Sequence, residues 1–315
     1  MTVHRLSVRV PATSANLGPG FDCMGLALEL FNEFSLELER PFGVTVSGEW
    51  DERLPIGEQN VVVQAMVRLF AEAGVALDDL PAFALHLDNQ IPISSGLGSS
   101  ASAIVGGLLL ANALLSTYRP NAALSQQEVL ALAVAIEGHP DNVAPALLGG
   151  GTLVFHDKAG PRTVSFPIPD ALCFVAATPD FALSTEEARK VLPAVYERAQ
   201  VVENVAQCAR LMLALTMADL DLLRGGLTDH LHEPYRLPLV PGAKDVVRAA
   251  VETGAFAVTL SGAGPTLLAW CRQDHAVQIA DEMTLAWRNA GTPCRSLVLS
   301  PCKEPTSVCV HHAIS

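Results

Sequence analysis

Apolar and polar residues alternate in several short stretches of the chain, as they do in β-strands with one buried face. Residues 6–10 predict a first strand that ends at Pro11, because proline cannot donate to a sheet ladder. The same alternation over 34–39 and 44–48 predicts a β-hairpin. Further strands are predicted over 83–87, 152–155, 163–166, 173–177, 256–260, 267–270 and 296–299.

Helix-start signals precede several stretches in which apolar residues recur every three or four positions. The signals are the N-cap Asn60, the capping box from Ser125 to Glu128 and the capping box from Ser184 to Glu187. The last of these places Arg189 one turn into its helix. Other helices are predicted over 101–115, 195–217 and 243–253, and in a segment that ends at Ala290.

The length of 315 residues predicts about two domains, each large enough for its own core. A boundary near 157–161 divides the chain into a first domain, 1–158, and a second, 159–300. The remaining residues, 301–315, form a tail whose role the sequence leaves open. A frayed terminus is favoured there over a weak metal cluster of Cys302, Cys309, His311 and His312.

Composition narrows the classes of function. The formal net charge of −13 argues against nucleic acid or an anionic membrane surface as a partner. Sixteen arginines and only four lysines favour planar, bidentate contacts to carboxylate or phosphate. No secretory signal opens the chain, and most of the seven cysteines are expected to be reduced core residues, so a cytoplasmic protein is predicted. The apolar run 104–115 is too short to span a bilayer.

The loop after the strand 83–87 has the composition of a phosphate-binding loop. It consists of Pro92, Ile93, Ser94, Ser95, Gly96, Leu97, Gly98, Ser99, Ser100, Ala101 and Ser102, and leads into a helix of small and apolar residues. Glycine lets the backbone approach a ligand closely, and the first turn of a helix offers unpaired N–H groups to an anion. A simple helix cap after a turn is the alternative interpretation.

Two familiar phosphate loops do not fit this stretch. A Walker A loop requires Gly-Lys-Ser/Thr, and the chain has no lysine before Lys158. A dinucleotide fingerprint requires a strand that runs directly into the first glycine and an acid about 20 residues later. Here Pro92 interrupts the strand, and 112–123 contains no acid. The loop is therefore predicted to bind phosphate through main-chain amides.

Three further segments concentrate polar side chains between predicted elements. In 11–22 these are Asn16 and Asp22; in 137–142 they are Glu137, His139, Asp141 and Asn142; in 229–236 they include His230 and His232. Turns of this composition are common, and Asp141 or Asn142 could simply cap a helix. Two histidines without a third convergent ligand do not favour a metal site.

Three segments resemble the GHMP small-molecule kinase family in their residue patterns and their order along the chain: 11–22, 92–102 and 260–266. Three other segments, 137–146, 185–189 and 233–236, are similar to the members that phosphorylate the amino acid L-homoserine. The resemblance implies an α+β fold of two domains. The N-terminal half would be like the second domain of ribosomal protein S5, and the C-terminal half a ferredoxin-like α/β sandwich. It also implies a homodimer.

The reaction implied by the resemblance is transfer of the γ-phosphoryl group of ATP to the side-chain hydroxyl of L-homoserine, with ATP against the loop 92–102. Mg²⁺ would lie on Ser100 and on a carboxylate from the following helical region, with Glu137 as first choice and Glu128 as second. The chain departs from the family here, because some members place this carboxylate further upstream, where this chain has Ala131 and Ala135. Asn142 would orient the substrate hydroxyl where other members are proposed to use a base. Ser100, Glu137 and Asn142 are thus the predicted catalytic residues.

The chemistry of L-homoserine provides a check that is independent of the resemblance, because the substrate carries both an ammonium and a carboxylate. Asp22 is available for the ammonium, and Arg189 and Arg236 for the carboxylate. The polar neighbours of the substrate are predicted to be Asn16, His139, Asn142 and Thr185. Two alternatives stay open: a family member that phosphorylates mevalonate, and a sensor that binds ATP and an amino acid without turnover.

Overall fold

A computed structural model describes residues 3–49, 54–158, 160–224 and 227–312. The strands are β1 Val3–Ala15, β2 Met24–Leu38, β3 Gly43–Gly48, β4 Phe83–Asn89, β5 Gly151–Asp157, β6 Gly160–Phe166, β7 Leu172–Pro179, β8 Ala257–Leu260, β9 Leu267–Arg272, β10 Cys294–Leu299 and β11 Val308–His312. The α-helices are α1 Val61–Glu72, α2 Ser99–Tyr118, α3 Gln126–Glu137, α4 Pro140–Leu148, α5 Thr185–Lys190, α6 Arg198–Thr216, α7 Glu233–Arg236, α8 Ala243–Glu252 and α9 Gln273–Asn289.

The first sheet has the order β11-β1-β2-β4-β3, and β5 pairs with β2 and with β6. Because β4 lies between β2 and β3, the predicted hairpin of 34–39 with 44–48 is wrong. β4 takes the inner position since Phe83, Leu85 and Leu87 are all buried, whereas β3 buries one side chain. β3 pairs in parallel with β4, and the crossover that such pairing requires contains α1.

The first strand does not end at Pro11. β1 continues to Ala15, and the register with β2 shifts between Pro11 and Ala12. Proline is tolerated at such an irregularity because the ladder is interrupted there and no N–H is needed. The prediction failed because it applied a rule for regular pairing to an irregular position. As a result, residues 12–15, expected in a loop, lie on a buried strand.

The sheets place the change from the first half to the second later than predicted. β6 pairs with β5 in the first sheet, so the change falls between Phe166 and Leu172 rather than at 157–161. The segment expected as a frayed tail also belongs to the first sheet, because β11 pairs antiparallel with β1. Local sequence could not reveal this pairing, since about 300 residues separate the two strands. Residues 313–315 lie outside the described part of the chain.

The second sheet is antiparallel, with the order β10-β7-β9-β8, and α8 and α9 pack against each other over one of its faces. A second apolar cluster joins the two halves, where Leu17 and Met24 of the first half pack in one core with Phe174, Leu211 and Trp270 of the second. The two halves therefore share a continuous apolar core. The α+β class is confirmed.

Helix α2 lies in the core of the first half and begins at the predicted phosphate loop. At 20 residues it is longer than predicted, and its length and apolar composition would allow it to cross a membrane. However, 61% of its most apolar window is buried within the protein, as in a core helix. Its apolar character is therefore accounted for by packing against β1 and α1.

Candidate active site

The predicted phosphate loop lies between the end of β4 and the start of α2, with Gly98 as N-cap in a left-handed conformation, φ +70°. A Cβ at Gly98 would lie 1.9 Å from Thr13 Oγ1, and one at Gly96 would lie 2.2 Å from the Ser261 carbonyl oxygen. Only glycine fits at either position. The Ser261 hydroxyl also donates to the Gly96 carbonyl at 2.7 Å, so both halves of the molecule hold the loop.

A cavity of about 360 Å³ opens in front of this loop. Its lining includes Ile93, Ser94, Ser95, Gly96, Gly98, Ser99 and Ser100 of the loop, Glu137, His139 and Asn142 from the segment that precedes and begins α4, and Thr185 and Gly262–Gly264 of the second half. The other four predicted loop residues do not line it. Leu97 and Ala101 are core residues, Ser102 donates to the Ser99 carbonyl, and the Pro92 carbonyl accepts from Ser95.

The two predicted metal ligands lie next to each other at one end of the cavity. The Ser100 hydroxyl donates to Glu137 Oε2 at 3.1 Å, although 37 residues separate them. Burial raises the pKa of Glu137. A hydroxyl and a carboxylate are hard oxygen ligands of the kind that Mg²⁺ prefers. Glu128, the second choice, caps the opposite end of α3, where hydrogen bonds from Ser125 lower its pKa.

Helix α4 presents His139 and Asn142 at its N-terminal end. His139 Nδ1 lies 3.3 Å from the buried Asp141 Oδ1, and this carboxylate raises the pKa of His139. Asn142 Oδ1 accepts a hydrogen bond of 2.8 Å from the hydroxyl of Thr13, which is fully buried on β1. Thr13 was not predicted as a site residue, because the strand was expected to end at Pro11. The sequence feature that could have identified Thr13 is its place in the segment 11–22, which carries part of the family resemblance.

Asp22 and Arg189, predicted to bind opposite ends of the substrate, bind each other. The guanidinium makes two hydrogen bonds to the carboxylate, at 2.8 and 3.1 Å, and both side chains are 38% exposed. Asn16 supports this arrangement from a left-handed backbone position, φ +71°, since its Oδ1 accepts from the Asp22 N–H at 3.0 Å. The structure therefore places three of the predicted substrate residues in direct contact.

Arg236, in contrast, is only 2% exposed. Its Nε donates to the Ala188 carbonyl at 3.1 Å and its Nη1 to the Gly262 carbonyl at 3.2 Å. Asn16 Nδ2 donates to the same Gly262 oxygen at 2.9 Å. Because Gly262 lines the cavity, its carbonyl connects Asn16 and Arg236 to the cavity wall. Gly262 lies in the segment 260–266, which carries part of the family resemblance, but it is not among the predicted site residues.

Within the described residues, no group of three or more His, Cys, Asp and Glu side chains is arranged to hold a metal ion. The histidines of 229–236 and the cysteine and histidine residues of 301–312 are among the side chains that form no such group. Ser100 and Glu137 form a different kind of pair, because one of the two ligands is a hydroxyl. Mg²⁺ is commonly held by one or two protein ligands together with substrate phosphates.

Two family models match the chain: GHMP kinases N terminal domain over 60–150 and GHMP kinases C terminal over 209–289. The chain therefore belongs to the GHMP kinase family, and the predicted class of enzyme, a small-molecule kinase, is confirmed. Among its relatives, the homoserine kinase of Moorella thermoacetica is 42% identical over 299 residues, covering 94% of this chain and 97% of the relative. That of Trichormus variabilis is 44% identical over 303 residues, with the same two coverages.

A solved structure gives the same result in three dimensions. The crystal structure of homoserine kinase from Cytophaga hutchinsonii superposes with a TM-score of 0.86 at 29% identity, and the match covers 98% of each chain. The predicted two-domain GHMP kinase fold is thus confirmed over nearly the full length of the chain.

Proposed function

We propose that this protein transfers the γ-phosphoryl group of ATP to the side-chain hydroxyl of L-homoserine, giving O-phospho-L-homoserine and ADP, a step toward threonine. One observation carries the proposal beyond family membership. A glycine loop, a hydroxyl–carboxylate pair and an amide line one cavity, and a group with both charges of an amino-acid site adjoins it through the Gly262 carbonyl. These are the complementary parts that ATP and a zwitterionic alcohol require.

Phosphoryl transfer passes through a loose transition state, so the protein mainly positions the reactants and offsets negative charge. The triphosphate of ATP would lie against the backbone N–H groups between Gly96 and Ser100, at the positive end of α2. Ser100 and Glu137 would hold Mg²⁺, which when bound neutralises charge on the phosphate oxygens. Bringing Glu137 into contact with a cation would favour its ionised form, despite the burial that raises its pKa.

Asn142 is suited to orienting the substrate hydroxyl rather than deprotonating it. Its Oδ1 is engaged by Thr13, so its Nδ2 group is the part available to the cavity, and an amide N–H donates. The nearby carboxylate of Asp141 is buried and lies against His139. The Asn142 N–H would therefore hold the substrate hydroxyl in line with the γ-phosphorus. As the new P–O bond forms and the bond to ADP breaks, the hydroxyl proton would pass to an oxygen of the transferred phosphoryl group.

Binding of the amino acid requires an exchange of partners. The ammonium of L-homoserine would pair with the Asp22 carboxylate. The carboxylate of L-homoserine would pair with Arg189 and would face Arg236. One ion pair is thus replaced by two, and no charge is left unpaired. His139, Thr185 and Asn16 would contribute polar contacts around the substrate.

The experiment is a substrate panel. Purified protein with MgATP is incubated separately with L-homoserine and with mevalonate, ADP release is followed, and the product is identified by ³¹P NMR. Rapid turnover of L-homoserine alone is expected. Turnover of mevalonate instead would identify the protein as a family member that phosphorylates mevalonate. Tight ATP binding without turnover of either alcohol would favour a sensor.

The finer statements on assembly also belong to the proposal. We expect a cytoplasmic homodimer, because the family resemblance implies one and the charge of −13 does not favour contact with anionic surfaces. Sedimentation equilibrium of the full chain tests the oligomeric state directly.

A further inference from the structure

Residues 229–236 form a buried connection beside the charged group of the site. His232 is fully buried, and Asp229 and Arg236 are nearly so. Asp229 Oδ2 accepts from the backbone N–H groups of His232 and Glu233, at 2.7 Å each, and thereby fixes the start of α7. The imidazole of His232 has no role in the phosphoryl transfer described above. Its burial in a polar cluster therefore calls for another explanation.

The hydrogen bonds of His232 determine which ring nitrogen carries the proton. Nε2 lies 2.9 Å from the Gly18 carbonyl oxygen, which can only accept, so Nε2 must be the donor. Burial lowers the pKa of His232, which keeps the ring neutral. Nδ1 then has a free lone pair, and it lies 3.4 Å from Arg236 Nη1, which can only donate. The direction of both hydrogen bonds follows from these facts alone.

The same ring also contacts the loop that carries Asp22. Phe21 stacks on the imidazole with ring centroids 5.0 Å apart and an angle of 20°, and the Arg236 guanidinium lies 5.2 Å from the centre of the Phe21 ring. Only glycine fits at Gly18, because its backbone is left-handed, φ +72°, and a Cβ there would lie 2.8 Å from the Leu227 carbonyl oxygen. His232 thus joins the loop 16–22 to Arg236 through both of its ring nitrogens and one ring face.

We propose that His232 is a positioning residue for the amino-acid substrate: its Nδ1 holds the guanidinium of Arg236 at a fixed distance from the loop that carries Asp22. The group for the substrate carboxylate is then held in place relative to the loop that carries the group for the ammonium before the amino acid binds. This proposal rests on the proposed function, because Arg236 is taken to serve the substrate carboxylate. It assigns the specificity for amino acids partly to a residue that does not touch the substrate.

Two substitutions separate the two nitrogens of the ring. In His232→Asn the amide oxygen occupies the region of Nδ1, so the contact to Arg236 is kept and that to Gly18 is lost. In His232→Gln the amide N–H reaches the region of Nε2, so the contact to Gly18 is kept and that to Arg236 is lost. His230→Asn is the matched control, because the His230 side chain makes no hydrogen bond within the described part of the chain.

The expected result is a split in the kinetic constants of the full-length enzyme. His232→Gln should raise the KM for L-homoserine by about tenfold, as for loss of one hydrogen bond to a charged group, and leave the KM for ATP unchanged. His232→Asn should retain most of the affinity for L-homoserine, and His230→Asn all of it. Equal effects of the Asn and Gln variants, or equal increases in both KM values, would overturn the proposal.

A measurement on the wild-type protein covers the case in which a variant fails to fold. With ¹⁵N-labelled histidine, the ring whose signals are absent in His232→Asn, or failing that the ring that does not titrate, should show a protonated Nε2 and an unprotonated Nδ1 from pH 6 to 8. A protonated Nδ1 would refute the proposal whatever the kinetics. Wild-type protein that lacks activity on L-homoserine would instead refute the proposed function.

Discussion

The two ends of the candidate site differ in the groups that they offer to a ligand. The phosphate end consists mostly of backbone, formed by glycines and the first turn of α2, and Ser100 and Glu137 are hydrogen-bonded to each other in its wall. The amino-acid end is dense in charge, and its charged groups already have partners: Asp22 and Arg189 pair with each other, and Arg236 donates to backbone carbonyls. The phosphate end can therefore receive a ligand without rearrangement, whereas the amino-acid end must exchange partners.

Burial decides which partners are exchanged. The ion pair between Asp22 and Arg189 is over a third exposed, and pairs of that kind contribute about 0 to 1 kcal/mol, so opening it costs little. Arg236 is buried, and its guanidinium donates to two carbonyls and to His232. We therefore expect Arg189 to move away from Asp22 on binding and Arg236 to remain fixed. Changes at the phosphate end should act on kcat, and changes at the amino-acid end on KM.

The largest effect is expected for Asn142→Ala. Loss of a preorganised donor at the reacting group lowers kcat by about a hundredfold or more in comparable sites, and the KM for ATP should change little. Thr13→Val, which removes the hydroxyl that fixes the Asn142 amide, should lower kcat less, and Thr13→Ser should restore it. Steady-state kinetics decide the matter: an effect of Asn142→Ala confined to KM would contradict an orienting role.

Glu137→Gln should raise the Mg²⁺ concentration needed for half-maximal activity by at least about tenfold, because an amide is a weaker ligand than a carboxylate. The control is Glu128→Gln, at the far end of α3, which should alter helix stability and not the Mg²⁺ requirement. The measurement is ADP release against total Mg²⁺ at fixed ATP. A parallel shift in both variants would remove Glu137 from the metal site.

Arg236→Ala should raise the KM for L-homoserine by at least about tenfold and spare that for ATP, since each hydrogen bond to a charged group is worth about 1.5 to 3 kcal/mol. Arg189→Ala should have the smaller effect of the two, because Arg189 leaves a partly exposed ion pair to bind the substrate. Initial rates over a matrix of both substrate concentrations give the two constants. Equal losses for both ligands would place Arg236 outside the amino-acid pocket.

How much of the fold the sequence could predict depends on how far apart the interacting residues lie along the chain. The N-cap of α1 and the capping boxes of α3 and α5 were predicted correctly, because the interacting groups lie within three residues of each other. The pairing of β3, the path of β1 beyond Pro11 and the strand β11 were missed, because each depends on a distant partner. Fold class followed from the resemblance, but register did not.

The candidate site divides along the same line. Glu137, His139 and Asn142 were expected together because six consecutive residues contain them, and the structure places all three on one cavity wall. The contact of Asp22 with Arg189 spans 167 residues, and that of Thr13 with Asn142 spans 129. No local pattern specifies such contacts. The sequence predicted which residue types were available, but not that two of the predicted ligand groups neutralise each other.

The smallest effect, on stability alone, is expected at the edge of the amino-acid end. Burial raises the pKa of Glu233 from 4.5 to about 8, while its Oε1 accepts from the Leu260 N–H at 2.7 Å. A carboxyl whose folded pKa is raised contributes full stability below pH 4.5 and loses it as the pH rises towards 8. Urea denaturation of the wild type should therefore show a free energy of unfolding that decreases across this range.

Glu233→Gln keeps the acceptor for Leu260 and removes the titration, so its stability should depend less on pH and exceed that of the wild type near pH 8. Glu252→Gln, at the exposed end of α8, is the matched control and should leave the pH dependence unchanged. If both variants follow the wild-type curve, Glu233 is ionised in the folded protein. The amino-acid end would then hold one negative charge in addition to the paired charges of Asp22 and Arg189.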